Sequence, residues 1–482
     1  MNARALPELW TSATLREIVE IKYGKGLPAR KRSAEGRYPV YGSNGIVGHH
    51  TSTLTRGPTI VIGRKGSVGE VHFSEEPCWP IDTTYFIDEF PAGMERRFLF
   101  FLLRHEQLAT LDKSTAVPGI NRDDIYRLSV PIPPLKTQER IVSKVRTLLS
   151  SVSLAKARLT EASMFAKQFR QSVLARAFRG ELTQRDSNDE PAERLLEGIR
   201  KERRKRWEGE LTAIGKDPRR YKYKEPGPAD SDQLPRLPDG WAWSRVDWVA
   251  DVRLGQQRSP KNRPNKYPRK YLRAANIIDG TLDLSDVKRM DFRPGEFDVY
   301  RLRSGDVLLS EGSGSPYEVG KCAVWDERIS DCCIQNTVIR VRSEHISPQY
   351  LLYVFMYARY KGDFAKMAKG IEIAHLGAER LAAYKIPLAR KNEQFRIIER
   401  IDSLLAMAKI LERPMETALR NTEQLEHSLL SCAFRGELVL QDPNDEPASV
   451  LLERIRAQRA ATGKRGRFQA QLELASPANT SS

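Results

Sequence analysis

Two long segments of the chain carry apolar residues at alternating spacings of four and three, the heptad pattern of coiled-coil helices. They run from residue 141 to 173 and from 397 to 429, and they match at an offset of 256. A helix over 141–173 would be about 48 Å long at 1.5 Å per residue. Because the two patterns match by position, we expect the helices to pair with each other, antiparallel; the alternative is that each packs on its own domain. The predicted seam residues are Ile141, Val145, Leu148, Val152, Leu159 and Phe169, and then Ile397, Ile401, Leu404, Leu411 and Leu425.

Two residues of the second segment depart from this pattern. Thr422 places a polar side chain at a seam position, and Pro414 falls inside the predicted helix. Because proline lacks an amide hydrogen and clashes with the preceding turn, we expect a kink at Pro414.

The remaining sequence has a different pattern, with short β-rich runs separated by glycine-containing turns. Examples are residues 59–62, 307–309 and 337–341, and an apolar, aromatic helical stretch follows at 98–103 and at 350–357. Such a mixture predicts α+β domains that are rich in loops.

The chain is internally duplicated. Residues 174–203 and 430–459 share 19 of 30 positions, including Ala-Phe-Arg-Gly-Glu-Leu and Asn-Asp-Glu-Pro-Ala in each copy. A weaker match links Leu6-Pro7-Glu8-Leu9-Trp10 with Leu237-Pro238-Asp239-Gly240-Trp241 at an offset of 231. Two long repeats, each a variable block followed by a shared block, predict a pseudo-twofold molecule within one chain.

This repeat sets the predicted domain boundaries. They are a first variable domain (1–135), a first shared helical region (136–206), a basic, proline-containing linker (207–236), a second variable domain (237–388), a second shared helical region (389–460) and a disordered tail (461–482).

The amino-acid composition indicates what kind of partner the chain binds. Lys and Arg total 79 against 62 Asp and Glu, a net charge of +17, which favours a polyanion such as nucleic acid. No apolar run is long enough to span a membrane, and the N-terminus lacks the apolar core of a secretory signal. The five cysteines form no CxxC pair, which argues against a disulfide framework or zinc site and for a reducing, cytoplasmic location.

Motifs for covalent chemistry are not found. Gly312, Gly314 and Gly320 before Lys321 lack the spacing of a phosphate loop, and no dinucleotide fingerprint, HExxH or Asn/Asp-Pro-Pro-Tyr motif occurs. We therefore expect no catalytic residues, no metal site and no cofactor bound by this chain.

Polar loops within the variable domains are candidates for reading DNA. Arg pairs with guanine edges, Asn and Gln pair with adenine edges, and Lys or Arg can also neutralise phosphates. For any single residue, the alternative is an ordinary polar surface turn. The candidates are Lys25, Arg30, Ser43, Asn44, Arg64, Lys65, Ser67 and Asn121 in the first domain and Gln256, Gln257, Arg258, Asn276, Ser313, Ser315, Lys369 and His375 in the second.

The full arrangement resembles the specificity subunit of a type I DNA restriction–modification system, over about residues 6–460. The resemblance rests on the paired Leu-Pro-x-x-Trp openings leading to Gly24 and Gly255, on the proline-containing exits at 130–135 and 386–388, and on the duplicated shared blocks. It implies that the variable domains are target-recognition domains, each reading one half of a split DNA site. It implies that the shared helices act as a spacer and dock two methyltransferase (modification) subunits, joined by motor–nuclease (restriction) subunits.

The resemblance also implies adenine methylation, with S-adenosylmethionine held by the partner, and a non-catalytic role for this chain. Two other classes stay open at this point. One is a stand-alone methyltransferase or nuclease with a fused recognition region, for which no segment is left to hold a catalytic domain. The other is a coiled-coil scaffold without a DNA role, which leaves the net charge of +17 unexplained.

Overall fold

The structure is a computed structural model that describes residues 6–33, 35–113, 118–223, 225, 234–258, 266–370 and 374–475. Two predictions fall partly outside the described residues: the linker segment around Pro226 and Pro228, and residues 476–482 of the tail.

The first half of the chain forms a variable α+β domain followed by two helices. Its strands are β1 (Thr11–Thr14), β2 (Lys22–Tyr23), β3 (Tyr38–Gly42), β4 (Gly45–His50), β5 (Thr59–Gly63), β6 (Val71–Ser74), β7 (Trp79–Pro80), β8 (Thr84–Ile87) and β9 (Ser129–Ile132). Its helices are α1 (Leu15–Ile18), α2 (Arg96–His105), α3 (Arg122–Tyr126), α4 (Leu135–Phe178) and α5 (Ala192–Ala213).

The second half repeats this order with additional short strands. Its strands are β10 (Ala242–Arg245), β11 (Asp251–Leu254), β12 (Pro268–Leu272), β13 (Ile277–Ile278), β14 (Thr281–Leu282), β15 (Lys288–Asp291), β16 (Val307–Ser310), β17 (Gly312–Ser313), β18 (Cys322–Val324), β19 (Cys333–Ile334), β20 (Val338–Arg342), β21 (Ala374–His375) and β22 (Lys385–Leu388). Its helices are α6 (Val246–Val249), α7 (Pro294–Tyr300), α8 (Pro348–Tyr360), α9 (Asp363–Met367), α10 (Ala378–Ala383), α11 (Lys391–Phe434) and α12 (Ala448–Ala475).

Helices α5 and α12 extend into segments that were predicted to be a linker and a disordered tail. Helix α5 includes residues 207–213 of the predicted linker, and α12 includes residues 461–475 of the predicted tail.

The chain divides into two compact units, of which the first is discontinuous in sequence and the second is continuous. The first unit contains residues 1–160 and 416–482, and the second contains residues 161–415. Both long helices therefore contribute one part to each unit.

The sheets of the two units have the same strand order. In the first unit the sheets are β1-β9, β2-β8-β5-β6 and β4-β3-β7, and in the second the counterparts are β10-β22, β11-β20-β16-β18 and β15-β12-β19. In the three-stranded sheet of each unit, one pair of strands is parallel: β3 with β7 in the first unit and β12 with β19 in the second. The tight turn between β3 and β4 is replaced in the second unit by the segment that carries β13 and β14, which locates much of its extra length. The predicted α+β class and internal repeat are confirmed.

Both long helices start and end for the same local reasons. Helix α4 begins after Pro133-Pro134, and the Gln138 side chain donates to the Pro133 carbonyl at 2.9 Å, just as Gln394 donates to Ala389 at 3.0 Å in α11. Each helix ends at a glycine with positive φ, +72° at Gly180 and +76° at Gly436. At Gly180, the amide of the glycine donates to Ala177 and the next amide donates to Arg176, which is a Schellman cap.

The helices pair with each other within each unit. In the first unit Lys156 of α4 forms an ion pair with Glu423 of α11 at 3.3 Å, and in the second Arg170 of α4 forms an ion pair with Glu412 of α11. Thr183, just past the end of α4, donates to Glu393, near the start of α11, at 3.0 Å. The predicted antiparallel pairing is confirmed.

Burial along the predicted seam varies. Ile141, Val145, Val152, Ile397 and Ile401 are buried, and Leu148, Leu159 and Leu404 are half-buried. The predicted seam residues left exposed are Phe169 (43%), Leu411 (65%) and Leu425 (46%).

The two departures in α11 are accommodated. Thr422 is buried and its hydroxyl donates to the Leu419 carbonyl at 2.7 Å, so the polar atom is satisfied within the helix. Helix α11 passes through Pro414 without a break in its assigned range.

Each variable domain is closed by the shared block that follows the other long helix. In the first unit the Trp10 indole donates to Gln441 at 2.8 Å, and the Ala448 amide donates to Leu9 at 3.0 Å. In the second unit the Ala192 amide donates to Gly240 at 2.9 Å. The first unit's core accordingly joins residues of both chain segments, including Ile60, Phe98, Ile141, Phe434 and Leu451.

A buried ion pair repeats this closure. Arg140 of α4 binds Asp445 at 2.5 Å, and its repeat counterpart Arg396 of α11 binds Asp189 at 2.5 Å. The arginine hydrogen bond is the main reason that the pKa of each aspartate lies below its usual value. Both carboxylates are therefore held ionised where the shared block meets the long helix.

Candidate nucleic-acid interface

Three loops of the first variable domain meet at the short connection between β7 and β8. The Lys25 amide donates to the Pro80 carbonyl at 3.0 Å, the Ser43 hydroxyl donates to the Thr83 carbonyl at 2.7 Å, and the Arg64 amide donates to Thr83 at 2.9 Å. A fourth segment joins through the Ile120 amide, which donates to the Arg64 carbonyl at 3.1 Å. We call residues 23–26, 42–45, 63–67, 81–83 and 119–122 the first loop cluster.

The first loop cluster is basic and carries an exposed aromatic ring. The Arg122 and Arg64 guanidinium carbons lie 4.9 Å and 5.6 Å from the ring centre of Tyr23, which is 52% exposed. Arg64 also donates to the Asp82 carbonyl at 3.0 Å, so its position is fixed within the cluster. Lys65 beside it is exposed. A fixed arginine beside an exposed lysine suits contact with base edges and phosphates.

The other predicted residues of the first domain are placed as follows. Lys25, Asn44 and Ser67 are exposed within the cluster, whereas Ser43 is 7% exposed and its hydroxyl is used inside the domain. Asn121 caps α3 by accepting from the Asp123 amide at 3.0 Å.

Arg30 is exposed on the helical turn Ala29–Lys31, which lies outside the residues that define the cluster.

The second variable domain gathers its loops in the same way around the connection between β19 and β20. The Gln256 amide donates to Ile334 at 2.9 Å, the Ala274 amide donates to the Thr337 hydroxyl at 3.0 Å, and the Glu311 amide donates to the Thr337 carbonyl at 2.8 Å. We call residues 255–258, 273–276, 311–315, 335–337 and 374–376 the second loop cluster.

The two clusters share their backbone connections. The Leu376 amide donates to Glu311 at 2.7 Å, as Ile120 donates to Arg64, and Gly312 pairs with His375, as Lys65 pairs with Gly119. The side chains differ, because the position of Arg64 is taken by Glu311. One backbone frame thus presents two unlike sets of polar groups.

Several predicted residues of the second domain reach its surface. Gln257, Arg258 and Lys369 are exposed, and His375 is half-exposed with its Nδ1 2.7 Å from the Glu311 carboxylate. Gln256 is half-buried, 3.4 Å from Glu296 through its amide nitrogen.

Asn276 differs from these surface residues. It is 3% exposed, donates to Asp283 and Asp286 at 3.0 Å and accepts from the Arg273 amide at 3.0 Å, so its amide stabilises a local turn. Ser313 lies half-buried in β17, where its hydroxyl accepts from the amide of Ser315, which is also half-buried. The side-chain amide of Asn276 is thus used within the domain and is not exposed on the second loop cluster.

Sequence reasoning missed the segments that organise both clusters. Thr83 and Thr337 occupy the same place before β8 and β20, and Asp82 and Asn336 precede them. It also missed Tyr317, which is 77% exposed beside the second loop cluster. The available signal was the threonine that directly precedes β8 in one half and β20 in the other. This correspondence can be recognised only when β8 and β20 are known to be equivalent strands.

Among the described residues, one group could offer three ligand atoms to a metal. It consists of Glu202, Glu344 and His345, whose side chains belong to the second unit. Glu344 already forms an ion pair with Arg206, and both carboxylates are more than half exposed. We therefore describe these three residues as an exposed polar cluster and assign no metal to them.

No helix in the described part of the chain is both long and apolar enough to cross a membrane.

Comparison with known proteins identifies the class. A family model for the type I restriction modification DNA specificity domain matches residues 7–163 and again residues 238–417. These two matches cover the two variable domains and the first parts of both long helices. The chain therefore belongs to the type I restriction–modification specificity family, whose members are DNA-specificity subunits and not catalytic subunits.

Individual relatives are similar along most of their length. The EcoDI specificity subunit of Escherichia coli is 27% identical over 477 residues, covering 96% of this chain and 98% of the relative. The EcoKI specificity subunit of Escherichia coli (strain K12) is 24% identical, covering 77% and 73%. A solved chain from a study of complex assembly and conformational transition of the type I R-M system superimposes with a TM-score of 0.62 at 20% identity, covering 90% of this chain and 100% of that one. This likeness supports the fold.

Proposed function

We propose that the chain reads a bipartite, asymmetric DNA site and directs adenine methylation or restriction by partner subunits. The observation that carries this proposal is the pair of loop clusters, which share a backbone frame and differ in side chains. A common frame supports one mode of docking on a duplex, and unlike side chains favour unlike base sequences. The first cluster would read one half-site and the second cluster the other.

The difference between the clusters is largest where the frames correspond most closely. The first cluster presents Arg64 and Lys65, whereas the second presents Glu311 and Gly312 at the same backbone positions. Arginine donates to guanine, whereas the Glu311 carboxylate lies against His375 with 13% of its side chain exposed, so the two positions offer different contacts to a base.

Family membership and the surface of the helix pair support an inference about the partners. We infer that two methyltransferase subunits dock on the long helices, that motor–nuclease subunits join them, and that S-adenosylmethionine is held by the methyltransferase, in the cytoplasm. The support from this chain is six large apolar side chains left exposed on the helices of the second unit, because exposed apolar groups at such density mark contact surfaces. They are Met164, Phe165, Phe169, Met407, Ile410 and Leu411.

Methylation mapping tests the proposal. The chain is expressed with the methyltransferase subunit of its system in a host that lacks other adenine methylation, and modified adenines are mapped across the genome. We expect one motif with two unlike specific blocks around unspecified bases. A continuous palindromic motif would contradict the proposal.

A variant assigns one block to one cluster. Replacing Arg64 and Lys65 by Ala removes basic groups from the first loop cluster only, and we expect relaxed preference in one block with the other unchanged. The matched control is Lys201→Ala with Lys205→Ala, two exposed lysines of α5 outside both clusters, which should leave the motif unaltered.

A further inference from the structure

The hairpin of β12 and β15 in the second unit carries two like charges directly opposite each other. Lys270 is the cross-strand partner of Arg289, and both side chains are exposed. Their neighbours Tyr271 and Met290 are buried, at 2% and 1% exposure, and contribute to the core beneath the sheet. Because successive side chains of a strand point to opposite faces, Lys270 and Arg289 both project from the outer face of the hairpin.

Three other basic groups of this hairpin region form ion pairs. Arg269 forms an ion pair with Asp331 at 3.5 Å, and Arg273 and Lys288 pair with Asp286 at 2.5 Å and 2.8 Å. Among the described residues, no carboxylate forms an ion pair with Lys270 or Arg289. Asp291, on the same face, accepts from the Lys266 amide at 3.0 Å.

Like charges directly opposite each other destabilise an antiparallel pair. An anion between the two side chains reverses this effect, because each cation then faces a negative group. Tyr271 and Val40 hold the same place beside β19 and β7, so the counterpart of Lys270 in the first unit is Pro39. Pro39 lies opposite His49, so the Lys–Arg pair is particular to the second unit. The charge pair is therefore not a requirement of the shared sheet topology.

The pair lies next to the second loop cluster. Lys270 precedes Arg273, the first residue of the cluster's 273–276 loop, by three residues, which corresponds to about 10 Å of extended strand. Residues 271 and 272 also pair with β19, whose end leads directly into the 335–337 connection at the centre of the cluster.

We propose that Lys270 and Arg289 bind phosphodiester groups of duplex DNA beside the half-site that the second loop cluster contacts. This assignment rests on the proposed function and adds a contact that positions the duplex without reading its sequence. A basic pair without carboxylate partners contributes counterion release and little base preference.

The test measures affinity of the complex with the methyltransferase subunit for duplexes with and without the mapped motif, across a range of salt concentrations. The variant is Lys270→Ala with Arg289→Ala. We expect the slope of log affinity against log salt to fall by about two, since each phosphate contact contributes about 0.9. The ratio of affinities for the two duplexes should stay within about twofold, because phosphate contacts carry no sequence information. The control, Lys201→Ala with Lys205→Ala, removes the same charge from α5 and should leave the slope unchanged.

A second variant separates binding from folding. Lys270→Glu places an acidic side chain opposite Arg289, which should raise the thermal unfolding temperature by creating a favourable cross-strand pair. The same variant should weaken DNA binding at least tenfold at low salt. An effect on binding alongside unchanged or higher stability supports the assignment, since a misfolded variant would lose both.

The outcomes against the proposal are distinct from failure of the proposed function. If the wild-type complex binds the motif and the double alanine variant keeps the wild-type slope, the phosphate assignment is wrong and the DNA-reading function stands. If the variant keeps its slope but loses its preference for the motif, the two residues read bases instead. If the wild-type complex shows no preference for any duplex, both proposals are wrong.

Discussion

At the scale of single residues, two glycines decide how closely the shared blocks approach the variable domains. Gly436 has a φ of +76°, and a Cβ atom there would lie 2.5 Å from the Pro7 ring and 3.4 Å from Trp10. At Gly180 the Cβ would lie 2.5 Å from Pro238, with Trp241 beside it. Each glycine thus ends a long helix and also admits the Leu-Pro-x-x-Trp opening of the domain that its shared block closes.

Gly436→Ala should destabilise the first unit by about 1–3 kcal/mol, because it combines a left-handed backbone with a steric clash. Thermal unfolding would measure the loss. Gly198→Ala is the matched control, since a Cβ at Gly198 in α5 contacts nothing within 4 Å and alanine favours a helix. Equal destabilisation by both substitutions would contradict the role given to Gly436.

The repeated ion pairs predict a pH dependence. Hydrogen bonds from Arg140 and Arg396 lower the pKa of Asp445 and Asp189 in the folded chain. A carboxyl with a lowered pKa stabilises the fold fully above its unfolded value, near 4, and this contribution is lost as the pH falls through the folded value.

Asp445→Asn should therefore reduce the free energy of unfolding by about 1–3 kcal/mol at pH 7, since a charge-assisted hydrogen bond is removed. The deficit relative to wild type should shrink as the pH falls below about 4, where the carboxyl of the unfolded chain becomes protonated, and it should vanish below the lowered pKa of the folded chain. Denaturant unfolding at pH 7 and pH 3 measures both values. A deficit that is the same at both pH values would show that the carboxylate charge does not matter.

At the scale of elements, the helices and the duplicated edges were predictable, because their signals are local or repeated. The heptad spacing located α4 and α11, and proline and glycine mark their ends. Burial of individual seam residues was not predictable. Val152 and Leu411 are both predicted seam residues, yet one is buried and the other is 65% exposed. Pattern identifies the apolar face of a helix, but the neighbours that cover it come from distant parts of the chain.

The candidate site shows the same limit. Asn44 and Asn276 are both polar loop residues near short strands, and no feature of the local sequence separates them. The structure leaves Asn44 exposed, whereas Asn276 is buried with its amide bonded to Asp283, Asp286 and Arg273. Which loops meet depends on pairing between strands that are distant in sequence, such as β2 with β8 and β12 with β19, so the clusters had to be observed.

The long helices also predict how the DNA spacer is set. Inserting one heptad in α4 after Thr160 and one in α11 after Met415 keeps both seams in phase and adds about 10 Å to each helix. We expect methylation mapping to show about three additional unspecified base pairs with both specific blocks retained, given about 3.4 Å per base pair. An unchanged spacer with full activity would mean that these helices do not set the separation.

At the scale of the whole molecule, the closure of each domain by a distant block determines how recognition can be exchanged. The residues that touch the shared block of the first unit, such as Pro7 and Trp10, lie at the edge of the variable domain and outside the first loop cluster. Phe98 of α2, whose ring centre lies 5.4 Å from that of Phe434, is also outside the cluster, so the first loop cluster can be replaced without altering this junction.

Exchanging residues 22–87 and 119–122 for the matching segments of a relative, while keeping β1, α2 and β9, should change one block of the methylated motif and leave the other unchanged. Stability should stay near that of wild type, because the contacts of Trp10, Phe98 and Asp445 with distant parts of the chain are retained. Methylation mapping and thermal unfolding of the chimera give both results. A change in both blocks would show that the two domains do not read independently.

The discontinuous first unit has a consequence for synthesis of the chain on the ribosome. Residues up to 160 emerge early, but Leu430, Phe434 and Leu451, which complete their core, are about 270 positions later. At about 5–20 residues per second, the nascent domain waits roughly 15 to 60 s with apolar surface uncovered. The second unit, contained within residues 161–415, has all of its segments available sooner. The unit whose first segment is made first is therefore completed last, and during that delay its uncovered apolar surface is open to binding by a chaperone.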